Sequence, residues 1–394
     1  MKPITAYVHF PWCLQKCPYC DFVSYAKPRE SIDHRRYAEA VLEELARRAP
    51  ELRQRELRSV FFGGGTPSLW EPVQLGRVLD AIQQTAASVA PHLEVTVECN
   101  PSSLDEERAR ELLEAGVNRL SVGVQGLDNE RLDFLGRLHQ ADGGLTAVRA
   151  ALRAGVPRVS GDLIYGVASG DTTRPREQGP EEAANEALTL ARTGVGHVSA
   201  YSLTIEAGTR FGELSRRGRL PLAADDGVAD SFLAVEAALT QAGFLHYEVS
   251  NYARPGEEAR HNVGYWTGID YLGLGCGAVG TVSRPDGSAL RYRNAKNPER
   301  YMHAAHAGEP TTEEEETLDP ETRLRERIML GLRLRDGVDL EEAATALGVH
   351  AWPAARQRTA DRLSREGRLE IRNGRLTIPS RSWLLADGIA ASLF

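Results

Sequence analysis

The sequence predicts an α/β fold: a partial (β/α)6 TIM-like barrel followed by a small α+β, winged-helix-like C-terminal module. Short β-like runs alternate with amphipathic helices through the first half of the chain. One face of these runs is repeatedly polar, and beyond Gly280 the alternation gives way to helices and one hairpin signal. Six β–α units in succession argue for a parallel sheet, open or curled into a partial barrel.

The runs cover residues 6–10, 59–62, 93–98, 119–125, 158–165 and 197–203. Tyr37, Val41, Leu42 and Leu45 at helical spacing predict a helix near residues 37–48 that stops before Pro50. Ser103 with Glu106 predicts a capping box, and Gly116 closes that helix. Within the strands, Tyr7 and His9 oppose Ala6, Val8 and Phe10, while Thr96 and Glu98 oppose Val95 and Val97. Ser121, Gly123 and Gln125 share one face, as do Ser160 with Asp162, and His197 with Ser199 and Tyr201. A parallel sheet covered by helices on both faces reads as continuous apolar runs. A barrel whose lumen holds a polar ligand explains the alternation.

Residues 167–180 carry Gly170, Pro175, Gly179 and Pro180 among charges and predict a long exposed loop. Residues 311–316, polar and acidic, predict a linker or a solvated helix start. Asn373-Gly374 between two short strands predicts a hairpin with a type I′ turn. The predicted organisation is a core over 1–240, an extension over 241–310 and the winged-helix-like module over 311–394. Winged helices often bind DNA, but a fold alone warrants no such function.

A formal charge of −8 provides no global basic field, so no nucleic-acid partner is expected. No run reaches the length of a membrane span, and residues 6–10 are too short for a signal peptide's apolar core. A cytoplasmic location is expected, which leaves room for a membrane-associated partner.

Three of the five cysteines fall within eight residues, as Cys13, Cys17 and Cys20. Thiolates spaced C-x3-C-x2-C on a loop just after a strand can converge on one centre. A [4Fe–4S] cluster normally takes four cysteines. With three, one iron stays open, as a catalytic metal keeps a free position. A structural zinc site would want a fourth ligand at close spacing. None follows, and His9 on the preceding strand is a poor candidate. Cys99 and Cys276 read as small buried residues.

This loop, with Tyr7-x-His9 before it, resembles the radical S-adenosylmethionine superfamily, and the resemblance covers most of the first 280 residues. Within it the chain is similar to the HemN/HemW group through Gly63-Gly64-Gly65-Thr66-Pro67-Ser68, Glu98-Cys-Asn100-Pro101, Gly123-Val-Gln125, Asp162-Leu-Ile-Tyr165-Gly166 and His261-Asn262-x-x-Tyr265-Trp266. The resemblance implies a [4Fe–4S] cluster whose open iron chelates the amino and carboxylate groups of S-adenosylmethionine. It places Gly64, Gly65 and Thr66 beside the ammonium, where glycines let carbonyls approach. Glu98, Gln125, Arg137 and Asp162 match polar cofactor contacts. The two carboxylates suit ribose hydroxyls, and Arg137 suits the methionine carboxylate. Tyr19 would pack on the adenine, with Tyr7 near the cluster. Taken alone, the glycines read equally as a tight turn, Arg137 as a surface charge and either tyrosine as core. The chain departs from the group's pattern at Val167-Ala168-Ser169, where a proline-containing turn is usual, and at Gly126, where serine is usual.

The resemblance implies two functions of different class. One is a haem chaperone of the HemW branch, which binds haem and delivers it to recipient haemoproteins, respiratory enzymes among the candidates. The alternative is an oxygen-independent coproporphyrinogen III oxidase, in which a 5′-deoxyadenosyl radical abstracts hydrogen from propionate side chains before decarboxylation. A methylating or haem-opening relative is a third, weaker option. The oxidases continue the triplet as Cys-x-Cys, whereas Phe22 stands here, and they carry an extension before the cluster loop where this chain has a dozen residues. Both differences favour the chaperone. His261 is then the expected haem ligand, because a neutral imidazole can ligate haem iron; read alone, a single histidine more often caps or packs.

Overall fold

The computed structural model describes residues 1–394 except Asn373. Its centre is a run of parallel strands in sequence order: β1 (Lys2–Phe10), β2 (Arg55–Gly64), β3 (Ser88–Cys99), β4 (Arg119–Gln125), β5 (Arg158–Tyr165) and β6 (His197–Ser202). The later chain extends both edges of this sheet. β7 (Leu245–Glu248) and β8 (Asn251–Ala253) add antiparallel strands beside β6. β9 (Asp270–Leu274) lies parallel to β1, followed by β10 (Val279–Ser283), β11 (Ala289–Asn294) and β12 (Thr312–Leu318) in antiparallel order.

The strand alternation explains the curl. Val8, Val60, Val95, Val97, Val122 and Val198 are buried in the apolar core beneath the helices. The opposite face brings Tyr7, Phe61, Glu98, Ser121, Asp162, Ser199 and Tyr201 to the border of one cavity. Six strands can present residues to a single cavity only if the sheet wraps around it. The fold is the expected partial barrel.

Several local expectations are corrected. The helix His34–Leu52 continues through Pro50, because the buried Ala49 and Leu52 keep its last turn docked. The helix Glu106–Glu114 is capped by Asp105, whose carboxylate accepts the Arg108 N–H, instead of by Ser103. Ser103 is engaged with Ser68 and with the Asn100 carbonyl. Residues 167–180 form a hairpin, Ala168–Asp171 against Arg174–Glu177, and not an open loop. Asp171 accepts the Thr173 and Arg174 amides at its turn, and Arg176 ties it to Asp128 and Glu130.

The acidic stretch 311–316 belongs to the edge strand β12, not to a linker or helix start. Glutamate has low strand propensity, but β11 and the segment after it, including the helix Pro298–His306, supply the opposite charge. Arg291 meets Glu316, Arg293 and Lys296 meet Glu314, and Arg300 meets Glu313. Charge on an exposed edge also discourages pairing with another chain. Beyond it lie the helices Pro320–Gly331, Leu340–Leu347 and Ala354–Arg365, then the antiparallel pair β13 (Glu370–Arg372) and β14 (Arg375–Thr377). The type I′ expectation rests on Asn373 and lies outside the described residues. Among the described residues no helix is long and apolar enough to cross a membrane.

One buried carboxylate joins the barrel to its extension. Glu44, almost fully buried, accepts from Gly275 N at 2.9 Å, Asn294 Nδ2 at 2.7 Å, Tyr301 Oη at 2.7 Å and Arg48 Nε at 3.1 Å. Glu44→Ala strands these donors, and breaking such a buried pair costs about 3 kcal/mol or more. Denaturant unfolding should show that loss, with Glu44→Gln retaining part of it. A Glu44→Ala protein as stable as the wild type would contradict this account.

Candidate active site at the barrel mouth

The cysteine loop leaves β1 at Phe10 and is laced at both ends. Gly65 N donates to Phe10 O at 2.7 Å and Thr66 N to Trp12 O at 2.8 Å. Tyr25 N donates to Pro11 O at 2.8 Å and Lys27 N to Cys13 O at 2.9 Å. A Cβ on Gly65 would lie 2.6 Å from Trp12 O, so this approach of loop to β2 requires glycine. Gly64 has a φ of +110°, and a Cβ there would meet the His9 ring. These two glycines therefore serve the loop's seating as well as bordering the cavity.

Cys13 is buried, while Cys17 and Cys20 are partly exposed. Arg137 Nη1 lies 3.5 Å from Cys17 Sγ, and Cys20 Sγ lies 3.8 Å from Ser24 Oγ. Burial pushes the Cys13 thiol up to about 11 and raises that of Cys20. Among the described residues no three His, Cys, Asp or Glu side chains gather around a single metal-ion position. The ligands of a cubane each bind a different iron and stand further apart. Three thiols on one loop beside a buried guanidinium fit that donor set.

Behind the loop lies a cavity of about 610 Å³. It is bordered by Tyr7, Cys13, Cys17, Tyr19, Cys20, Gly64, Gly65, Thr66, Glu98, Gln125, Arg137, Asp162 and His261. Every residue nominated from the sequence thus reaches one space. His9 Nε2 is 2.7 Å from the Val23 carbonyl, which can only accept, so Nε2 carries the proton. Nδ1 then accepts from Tyr7 Oη at 3.0 Å. Burial holds this ring near a pKa of about 4, neutral at physiological pH. Gln125 has a φ of 66° at a break in the β4–β5 register, a conformation uncommon outside glycine and typical of functional sites.

The two lumen carboxylates differ. Asp162 accepts from Ser121 Oγ at 2.9 Å, Ser160 Oγ at 3.2 Å and Ser199 Oγ at 2.7 Å. Glu98 holds only Gly64 N, at 3.0 Å through Oε2, which leaves Oε1 for a ligand. Arg137 gives Nη2 to Gly123 O at 3.0 Å, and its Nε is buried with no partner. Tyr19 packs against Phe211 with ring centroids 6.3 Å apart.

His261 lies on the helix Arg260–Trp266 at the far end of the cavity. Its Nδ1 pairs with Ser59 Oγ at 2.8 Å and its Nε2 with Tyr265 Oη at 3.1 Å. The ring stacks on Phe61, and burial pushes its pKa to about 3. Two lumen residues escaped the sequence reading. Arg119 and Glu94 have the parity of Ser121 and Thr96, so the alternation itself carried the signal. Arg119 is buried and draws Glu98 and Asp162 down against the effect of burial. Glu94 accepts from His261 N at 2.9 Å and from Arg158 Nη1 at 2.6 Å, which anchors the His261 helix.

Burial, opposed by the Gly64 amide and assisted by Asp162, raises Glu98 to about 7. Between its ordinary 4.5 and that value the folded state binds the extra proton, so stability falls as pH rises through the window. Glu98→Gln keeps an acceptor for Gly64 and removes the charge. In the protein free of metal and cofactor, its unfolding free energy should lie near that of wild type at pH 5 and exceed it at pH 8, by at most about 3 kcal/mol. Equal offsets at both pH values would contradict the buried-charge account.

The model for the "Radical SAM superfamily" matches residues 7–171, and that for the "HemN C-terminal domain" matches residues 318–385. The haem chaperone HemW of Escherichia coli (strain K12) is 38% identical over 302 residues, covering 77% of this chain and 76% of that protein. HemW of Mycobacterium tuberculosis (strain H37Rv) is 34% identical over 393 residues, covering 100% and 95%. The solved structure of coproporphyrinogen III oxidase (HemN) from Escherichia coli superposes with a TM-score of 0.81 at 20% identity, covering 100% of this chain and 90% of that one. That likeness establishes the fold. Motifs, fold and full-length kinship agree, and the chain belongs to the HemW family of the radical S-adenosylmethionine superfamily.

Proposed function

We propose that this chain is a haem chaperone that holds a [4Fe–4S] cluster, S-adenosylmethionine and haem, and passes haem to recipient haemoproteins. The observation that carries this reading is kinship with curated haem chaperones at 34–38% identity, over three quarters of the chain or all of it. When bound, the cluster and S-adenosylmethionine bring the capacity for radical chemistry that defines the superfamily.

The chain's own groups supply the binding. Cys13, Cys17 and Cys20 hold three irons from one loop and leave the fourth open. Arg137, with its unpartnered Nε, receives the methionine carboxylate, and the Gly64–Thr66 segment borders the ammonium. Glu98 Oε1 takes a ribose hydroxyl, and Asp162 stiffens the wall through its three serines. Tyr19 and Gln125 flank the adenosine. His261 reaches haem iron only if Nε2 leaves the Tyr265 hydroxyl. Phe22, 57% exposed at the mouth, supports chaperone over oxidase because the oxidases carry a cysteine there.

Anaerobically reconstituted protein should take up haem stoichiometrically and transfer it to an apo-haemoprotein. It should neither consume coproporphyrinogen III nor release 5′-deoxyadenosine with it. Coproporphyrinogen turnover without stable haem uptake would overturn the proposal in favour of the oxidase.

A further inference from the structure

The His261 helix has a second face. His261, Asn262 and Tyr265 border the lumen, whereas Arg260, Val263 and Gly264 border a separate cleft. This cleft lies between the beginnings of β2, β3 and β9 and the C-terminal module, and its volume is about 1270 Å³. Its floor is apolar, formed by Ala90, Val263, Ile269 and Leu334, with Leu245 exposed at the rim. Its walls carry five arginines against the carboxylates of Glu258 and Asp336. Arg58 is paired with Glu56 and Arg372 with Glu370. Among the described residues Arg260, Arg335 and Arg375 enter no ion pair. Arg260 gives Nη1 to the His92 carbonyl, and Arg375 gives its guanidinium to the Asp336 and Gly337 carbonyls. Set against Glu258 and Asp336, these three leave the cleft with one net positive charge, in a chain whose overall charge is −8.

An apolar floor beside guanidiniums that no carboxylate pairs, those of Arg260, Arg335 and Arg375, suits a flat apolar molecule with peripheral carboxylates. We infer that haem binds in this cleft, its ring on the floor and its propionates on Arg335 and its neighbours. The inference rests on the haem-chaperone reading and locates the ligand within it. Two observations favour the cleft over the lumen. The lumen's 610 Å³ is already assigned to the cluster and S-adenosylmethionine, whereas the cleft's 1270 Å³ is unassigned. Haem in the cleft also leaves both hydrogen bonds of His261 in place. His92, exposed at the lip, is the only histidine among the described residues that borders the cleft. A histidine-ligated iron there must use it.

The test titrates the full chain, loaded with cluster and S-adenosylmethionine, with haem and with haem dimethyl ester, which lacks the carboxylates. Wild type should prefer haem to the ester. Arg335→Glu, a change at an exposed side chain, should weaken haem about tenfold and erase that preference, with S-adenosylmethionine affinity unchanged, and Arg335→Lys should restore part of it. His92→Ala should shift the Soret band. Haem binding and spectrum unaltered by Arg335→Glu and His92→Ala, but lost in His261→Ala, would overturn the cleft and leave the chaperone reading standing. A wild-type protein that takes up no haem at all would overturn both.

Discussion

A parallel barrel with a polar interior must satisfy every inward-facing group from within, because its helices shut out solvent from the other face. The lumen here does so by pairing hydroxyls with ionisable groups across adjacent strands. Three serines on three strands hold Asp162, Ser160 and Tyr247 hold the two nitrogens of His197, and Ser59 and Tyr265 hold those of His261. The cost of leaving one of these groups bare fixes each ring and carboxylate in one orientation. Among the groups that border the cavity, Glu98 Oε1, Arg137 Nε and the three thiols are left for a ligand, whereas the partnerless hydroxyls of Thr5 and Thr96 lie outside its border.

The same constraint reaches the cysteine loop. The Tyr7–His9–Val23 chain runs from the lumen wall to the loop's return limb, and the Gly64–Gly65 backbone locks the outgoing limb to β2. The Gly136 carbonyl accepts from Gln15 Nε2 at 3.2 Å and Arg137 lies against Cys17, so the loop is held from the β4 side as well. Cluster ligands and cofactor contacts thus share one rigid frame, which is what a site that orients two groups against each other requires.

Much of this was legible in the sequence because period-two alternation has few other causes in a parallel sheet. It located β4 and β5 to the residue and placed Glu98, Gln125 and Asp162 on the lumen. Arg119 and Glu94 obey the same parity, near the starts of the runs 119–125 and 93–98, where a charge commonly meets solvent; here both are buried. The acidic edge strand was misread because its stabilising partners, Arg291 and Arg293, lie beyond an intervening helix, Pro298–His306, and not beside it in sequence. The Asp105 cap competed with Ser103, and only the tertiary contact of Ser103 with Ser68 decides between them. Nothing local announced the arginine-lined cleft, since its lining comes from six separate stretches of chain.

The central claim is that three cysteines leave one iron open to a ligand held by the lumen. Mössbauer spectra of the iron-57-reconstituted protein, recorded with and without S-adenosylmethionine, test it most directly. One iron of the four should change its isomer shift on addition of the molecule, and the change should be lost in Arg137→Ala combined with Glu98→Ala. Four irons that remain equivalent and unmoved would contradict the account.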